Sequence, residues 1–135
     1  MSARAHLAPV ILRWHLERSA PRRLGAEPTA AIRRHLLYIG ALALDVLLGD
    51  VRSLKQKRSE VRPLIAEVNR KFPGLAVAET GYLDLHRRTE IGVAVVASTA
   101  SHAVEVLEAC ERFVAARPGI ELLSARQRLF NDEGE

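Results

Sequence analysis

Basic side chains crowd two short stretches of this 135-residue chain: Arg52, Lys55, Lys57, Arg58 and Arg62 in one, Arg87 and Arg88 in the other. Guanidinium and ammonium groups held close together are ligands for phosphate oxygens, and a row of phosphates is what a nucleic-acid backbone offers. Ser53 is a helix-capping residue with Gln56 three positions later, so the first cluster is expected to open a helix. The free N–H groups there would add a positive dipole end for an anion. Other chemistry finds few residues. Cys110 falls on an apolar helical stripe and reads as a buried thiol rather than a nucleophile. His86, two residues after Asp84, and His102 lack partners at metal-ligand spacing, and His6, His15 and His35 lie in an aperiodic N-terminal stretch. Glycines 40, 49, 74, 81, 92 and 119 mark strands and turns and form neither a phosphate loop nor a dinucleotide fingerprint. Glu105 and Glu108 belong to the outer face of a helix. No catalytic residue, metal site, cofactor or small-molecule substrate is therefore expected, and an enzyme built on Asp84 and His86 would lack a further catalytic partner.

The elements that must position the basic residues follow from hydrophobic period. Residues 38–48 alternate, with Leu42, Leu44, Val46 and Leu48 on one face and Ile39, Ala41, Ala43 and Asp45 on the other, which predicts a half-buried strand. After Gly49-Asp50, Leu54, Val61, Ile65, Val68 and Phe72 fall within a narrow arc of a helix, with Leu64 at its edge. Pro63 is expected on the solvent side, kinking or splitting that helix, and Pro73-Gly74 ends it. Residues 75–82 and 90–98 read as strands. Ser101 opens a second helix with the stripe Ala103, Val106, Leu107, Cys110, Phe113 and Val114; Pro118-Gly119 closes it, and 120–129 is a last strand. The order βαββαβ predicts an α+β, ferredoxin-like sandwich: a four-stranded antiparallel sheet, spatial order 4-1-3-2, with two helices on one face.

That topology places three connections at one end. They carry Arg52, Lys55, Lys57, Arg58 and Arg62, then His86, Arg87 and Arg88, then Arg117, with Asp50, Asp84 and Glu90 as partial neutralisers. The functional expectation is a phosphate-binding rim; the competing one is a solvated rim of weak surface ion pairs. The sheet face away from the helices would show Ile39, Ala41 and Ala43 beside Gly92, Ala94 and Val96. No aromatic stands at those positions, which disfavours base stacking on the two central strands. A small apolar face of this kind is expected to be covered, by a second copy in a homodimer or by the N-terminal segment.

Composition bounds the rest. With 48% hydrophobic and 27% charged residues, the chain can bury one core and remain soluble. A single cysteine rules out an internal disulfide framework and a Cys-rich zinc site, and fits a reducing cytoplasm. Asp45 interrupts the best apolar run, well short of the ~20 residues a membrane span requires. The net charge of +4 is unevenly placed: residues 1–37 hold seven Arg against Glu17 and Glu27, or +5, while 38–135 hold thirteen Lys+Arg against fourteen Asp+Glu, or −1. Global basicity is thus no argument for nucleic acid. The expected organisation is a basic extension over 1–37 (flexible, or translated only on paper because the start was placed too early), a domain over 38–131, and a frayed acidic tail over 132–135.

RSLKQKR at 52–58, the stretch from Ala78-Glu79 through Asp84-Leu85 to Arg88, IGVAVVAS at 91–98 and GIELLSARQRL at 119–129 together resemble the YlxP-like family of small bacterial proteins. The resemblance covers about residues 38–130. It implies a ferredoxin-like fold and no established activity. It also implies genes placed among those for ribosome maturation and translation initiation, an association that favours ribosomal RNA or the small ribosomal subunit as partner. The family signature matches at Ser53, Leu54, Lys55, Lys57 and Arg58, and again at Asp84, Leu85 and Arg88. An aromatic and a glutamine are usual where this chain has His86 and Arg87. The leading expectation is a non-enzymatic RNA- or ribosome-associated protein, with Lys55, Lys57, Arg58 and Arg88 contacting phosphate and Arg52, Arg62 and Arg87 in support. The alternative is a homodimeric interaction or scaffold module using the small-residue face, without nucleic acid.

Overall fold

In a computed structural model, residues 36–132 are described. The expectations for 1–37 and 132–135 therefore lie outside the described residues, apart from Leu36, Leu37 and Asp132. The elements are β1 (Tyr38–Leu48), α1 (Leu54–Lys71), β2 (Ala76–Gly81), β3 (Arg88–Ala97), α2 (Ala100–Ala115) and β4 (Ile120–Asn131). The strands form one antiparallel sheet in the order β2-β3-β1-β4, and the arrangement is a ferredoxin-like βαββαβ sandwich.

The alternation in β1 survives folding. Leu42, Leu44, Val46 and Leu48 are buried against the helices, while Ile39, Ala41, Ala43, Asp45 and Leu47 are half-buried on the open face. Ile91, Val93, Val95 and Ala97 of β3 extend the same core layer. Gly40 also faces the core and leaves room for α2: a Cβ there would stand 2.8 Å from Leu107 Cδ1 and 3.5 Å from the Ala103 Cβ.

At the start of α1, Ser53 Oγ accepts from the Gln56 N–H at 3.0 Å, the expected N-cap. The glutamine reaches back one residue further than a capping box does. Its Oε1 accepts from the Arg52 N–H at 2.8 Å and its Nε2 donates to the Asp50 carbonyl at 3.3 Å, which ties the incoming loop to the helix. The helix runs unbroken through Pro63, which is exposed, as is Ser59, whose carbonyl loses its partner there. The buried line differs from the expected stripe. It is Lys57, Val61, Leu64 and Val68, with Leu64 fully buried and Leu54 36% exposed. A lysine at a core position rotates the face, and hydropathy assigns lysine to solvent.

Helix α2 begins at Ala100, one residue before Ser101, the residue expected to open it; Thr99 is the cap, its Oγ1 accepting from the His102 N–H at 3.1 Å. Ala103, Leu107, Cys110 and Val114 are buried as their spacing implied. Phe113 meets Phe72 edge to face at 5.7 Å between ring centroids, which closes the gap between the two helices.

Candidate nucleic-acid interface

Three connections meet at one end of the sheet. Arg87 Nε donates to the Gly49 carbonyl at 2.8 Å, and the Leu48 N–H donates to the Arg87 carbonyl at 2.7 Å, which joins the β2–β3 hairpin to the β1–α1 loop. A Cβ on Gly49 would stand 3.2 Å from the Gly119 carbonyl oxygen, so the α2–β4 turn is there too. The basic residues brought to this end separate into two groups.

Lys55, Arg58 and Arg62 are exposed and unpaired with any described residue. Glu67, further along α1, pairs with Arg117 from the end of α2, so that flank of α1 faces α2. At 100° per residue the three cations lie about 120–180° around the axis from Glu67. They therefore form a stripe that looks away from α2, on the side of the sheet edge made by β2. Arg52 is exposed beside them, 3.4 Å from the Asp50 carboxylate, a contact of little energetic weight between solvated groups. Arg117 does not join the rim.

The remaining cations hold the hairpin. Lys57, expected as a phosphate contact, is only 3% exposed. Its ammonium lies 2.9 Å from Glu79 Oε2 and donates to the Tyr82 carbonyl at 2.7 Å, while the buried Thr89 hydroxyl donates to the same Glu79 oxygen at 2.8 Å. It is enclosed because β2 brings a carboxylate under the helix, and a charge so enclosed needs that partner. Arg88, also expected at phosphate, is bidentate to Asp45, with Nε to Oδ1 at 2.9 Å and Nη2 to Oδ2 at 2.8 Å. Its guanidinium also lies 4.6 Å from the centroid of the Tyr82 ring. Arg87 is engaged by backbone carbonyls through Nε. Asp84 and His86 are exposed in the hairpin loop and line an open concavity with Leu47, Leu85, Arg87 and Arg88.

The Arg88 hydrogen bonds, assisted by the charges of Arg88 and Arg126, hold the Asp45 carboxyl below its ordinary value against the opposing effect of its partial burial. A carboxyl depressed on folding contributes stability that is complete above the unfolded pKa of about 4 and is lost as pH falls below it. Arg88→Gln is therefore expected to flatten the fall of unfolding free energy between neutral and acid pH. Urea titrations at several pH values check this, and an unchanged pH dependence would refute it.

The open face carries the residues expected for an interface. Ile39 pairs with Val96, Ala41 with Ala94 and Ala43 with Gly92, and all six share this face. Phe130 on β4 lies opposite Ile39, and Ala76 and Ala78 on β2 extend the patch. Val96 is 66% exposed. A Cβ on Gly92 would come within 2.6 Å of Thr80 Cγ2, so glycine is what lets β2 close against β3. Towards the hairpin the same face turns polar, with Asp45–Arg88 beside Glu90–Arg126 at 3.2 Å, and Thr80 Oγ1 donating to Glu90 at 2.7 Å. Sequence reasoning missed Tyr82 and the pair Arg128 and Phe130, whose guanidinium carbon and ring centroid are 5.9 Å apart. They stand on the hairpin and an edge strand, outside the central-strand positions where a base-stacking aromatic is sought.

Cys110 is fully buried, and burial together with the nearby Glu111 charge pushes its thiol up to about 11, which leaves almost no thiolate at neutral pH. Among the described residues no group of three or more His, Cys, Asp or Glu side chains gathers around a metal-sized space. No helix among them is long and apolar enough to cross a membrane.

Residues 39–127 match the family described as "Protein of unknown function (DUF503)". The "Uncharacterized protein YlxP" of Bacillus subtilis (strain 168) is 30% identical over 92 residues, which covers 68% of this chain and 99% of that protein. Among solved structures, the de novo designed protein Foldit4 superposes with a TM-score of 0.42 at 11% identity, over 69% of this chain and 96% of its own. The match spans both basic stretches and every strand of the sheet, and the chain belongs to the DUF503 family, the YlxP-like proteins of unknown function.

Proposed function

We propose that this protein is a non-enzymatic, cytoplasmic RNA-binding protein that docks on ribosomal RNA or the small ribosomal subunit through phosphate contacts. Lys55, Arg58 and Arg62 carry the contacts, with Arg52 and the free part of the Arg87 guanidinium in support. The observation behind this reading is the stripe itself: three exposed cations, unpaired with any described residue, on one flank of α1. It belongs to a region whose net charge is −1, so the local excess is not a by-product of overall basicity. Unpaired Lys and Arg that neutralise phosphates release counterions on binding RNA, which makes affinity fall steeply with salt. The ribosomal partner rests on the family resemblance.

The test uses the full chain, wild type against Lys55→Ala/Arg58→Ala/Arg62→Ala, on ribosomal RNA and small subunits across a salt series. Residues 1–37 are common to both proteins, so the difference reads the stripe. The variant is expected to bind about a hundredfold more weakly at about 0.1 M salt, with a slope of log K against log salt shallower by about 2 to 3. Equal affinity and slope for the two proteins would sink the reading.

A second reading is favoured by the 66% exposure of Val96 on a flat face of small residues. In it, two copies pack their open faces together around Ile39, Ala41, Ala43, Gly92, Ala94 and Val96 as a homodimeric interaction module. Sedimentation at high micromolar concentration is expected to give twice the chain mass, and Val96→Glu to give a monomer. A monomeric wild type removes this reading.

A further inference from the structure

We infer that Tyr82 is a stacking platform for an unpaired base of the bound RNA, with Arg88 behind one face of the ring and the base received on the other. This rests on the phosphate-binding reading and names the class of RNA that reading would take: single-stranded or looped rather than duplex.

The hairpin holds this ring out while fixing its backbone. Tyr82 has φ of 56°, left-handed for a residue with a bulky side chain, and it is the one non-glycine with positive φ among the described residues. Such a conformation persists only where the surroundings impose it. Here the Tyr82 carbonyl accepts both the buried Lys57 ammonium at 2.7 Å and the Leu85 N–H at 3.1 Å. Behind the ring, the Arg88 guanidinium is clamped in plane by its two bonds to Asp45 and lies 4.6 Å from the ring centroid. Tyr82 nevertheless remains 39% exposed.

A tyrosine used as core filling would be covered. This one is an aromatic on a fixed backbone, with a cation against its ring and solvent access remaining, the arrangement that lowers the entropy cost of base stacking. Bases within a duplex already have both faces stacked, so only an unpaired base can use it. The ring lies with Arg88 towards the open face of the sheet and the cation stripe lies on α1, so one strand engages both by passing round the β2 edge; Lys57, between Lys55 and Arg58 in the first turn of α1, ties the backbone of the turn to the start of the stripe. The central strands present no aromatic on the open face, so the ring comes from the hairpin.

The test measures binding of the full chain to a short labelled oligo(U), to the same strand with abasic sites, and to a duplex RNA of the same length. Tyr82→Ala and Tyr82→Leu are expected to lose about tenfold on oligo(U), little on the abasic strand or the duplex, and to keep the wild-type salt slope. Tyr82→Phe should bind as wild type, since the ring and not the hydroxyl is used. Far-UV circular dichroism confirms that each variant is folded, and the leucine variant keeps bulk at the site if alanine unfolds it. Equal losses on all three ligands, or no loss on oligo(U), overturn the platform. If that happens while Lys55→Ala/Arg58→Ala/Arg62→Ala still weakens binding and flattens the salt slope, the phosphate reading survives alone. If no variant changes affinity, or no RNA binds, both fall. Competition by polyglutamate as strong as that by oligo(U) would also overturn the platform, because it would mark the site as one for an acidic peptide.

Discussion

Lys57→Ala is expected to cost about 3–5 kcal/mol of folding stability, more than any other change to a charged residue described above. The lysine is 3% exposed and its ammonium is shared between Glu79 and the Tyr82 carbonyl. Removing it leaves the half-buried Glu79 carboxylate beneath the helix with only the Thr89 hydroxyl as a protein partner. The comparison that isolates this cause is Lys57→Met combined with Glu79→Gln. The amide still accepts from Thr89, Leu85 still donates to the Tyr82 carbonyl, and no charge is left unpaired, so most of the stability should return. Urea unfolding of the three proteins decides it. A single variant within about 1 kcal/mol of wild type, or a double variant worse than the single, would show that Lys57 is no structural anchor. If Lys57 were instead a phosphate contact, its replacement would lower RNA affinity and leave stability nearly untouched, the reverse of the expected result.

The other large effect concerns the seam between β1 and α2. Leu107 is fully buried, and Leu107→Ala is expected to destabilise by about 3 kcal/mol through lost transfer energy and a residual cavity. Gly40→Ala is expected to cost about 1–3 kcal/mol for the opposite reason, because its methyl would stand 2.8 Å from Leu107 Cδ1 and 3.3 Å from Val95 Cγ1 in a packed core. These two losses should not add. In the double variant the new methyl enters space that the shortened side chain vacates, so the cost should stay near that of Leu107→Ala alone. Thermal and urea unfolding of the four proteins form the cycle, and strict additivity would mean the two residues do not share this seam.

Local chemistry made much of the fold legible. Alternation in 38–48 assigned β1 and its two faces, Ser53 with its Gln56 partner marked the start of α1, and Pro-Gly pairs ended both helices. Two strands and a helix in each half implied the strand order that the sheet adopts. The errors were also local in origin. Ser101 was expected to open α2, but Thr99, a capping type two residues earlier, stands where β3 releases the chain and starts the helix at Ala100. Leu54 fits the apolar arc by spacing but lies about 60° around the axis from Lys57, the residue of that turn that is buried, and is 36% exposed.

The candidate site was half legible, for a physical reason. Residue type and spacing by themselves determined that basic groups gather at one end of a ferredoxin-like sheet, because topology and helical period are enough to place Cα atoms. Whether a given cation is free depends on which opposite charges arrive from far along the chain. Lys57 meets a carbonyl 25 residues away, and Arg88 meets a carboxylate 43 residues away. A charge buried with its partner and a charge left in water look identical in sequence, since both are lysine or arginine at a helical or hairpin position. Only the packing of β2 under α1, and of β3 beside β1, decided that Lys57 and Arg88 hold the hairpin while Lys55, Arg58 and Arg62 remain available. That packing also set Tyr82 against a guanidinium with part of its surface in solvent, because enclosing Lys57 and pairing Arg88 with Asp45 fixed the turn that carries the ring.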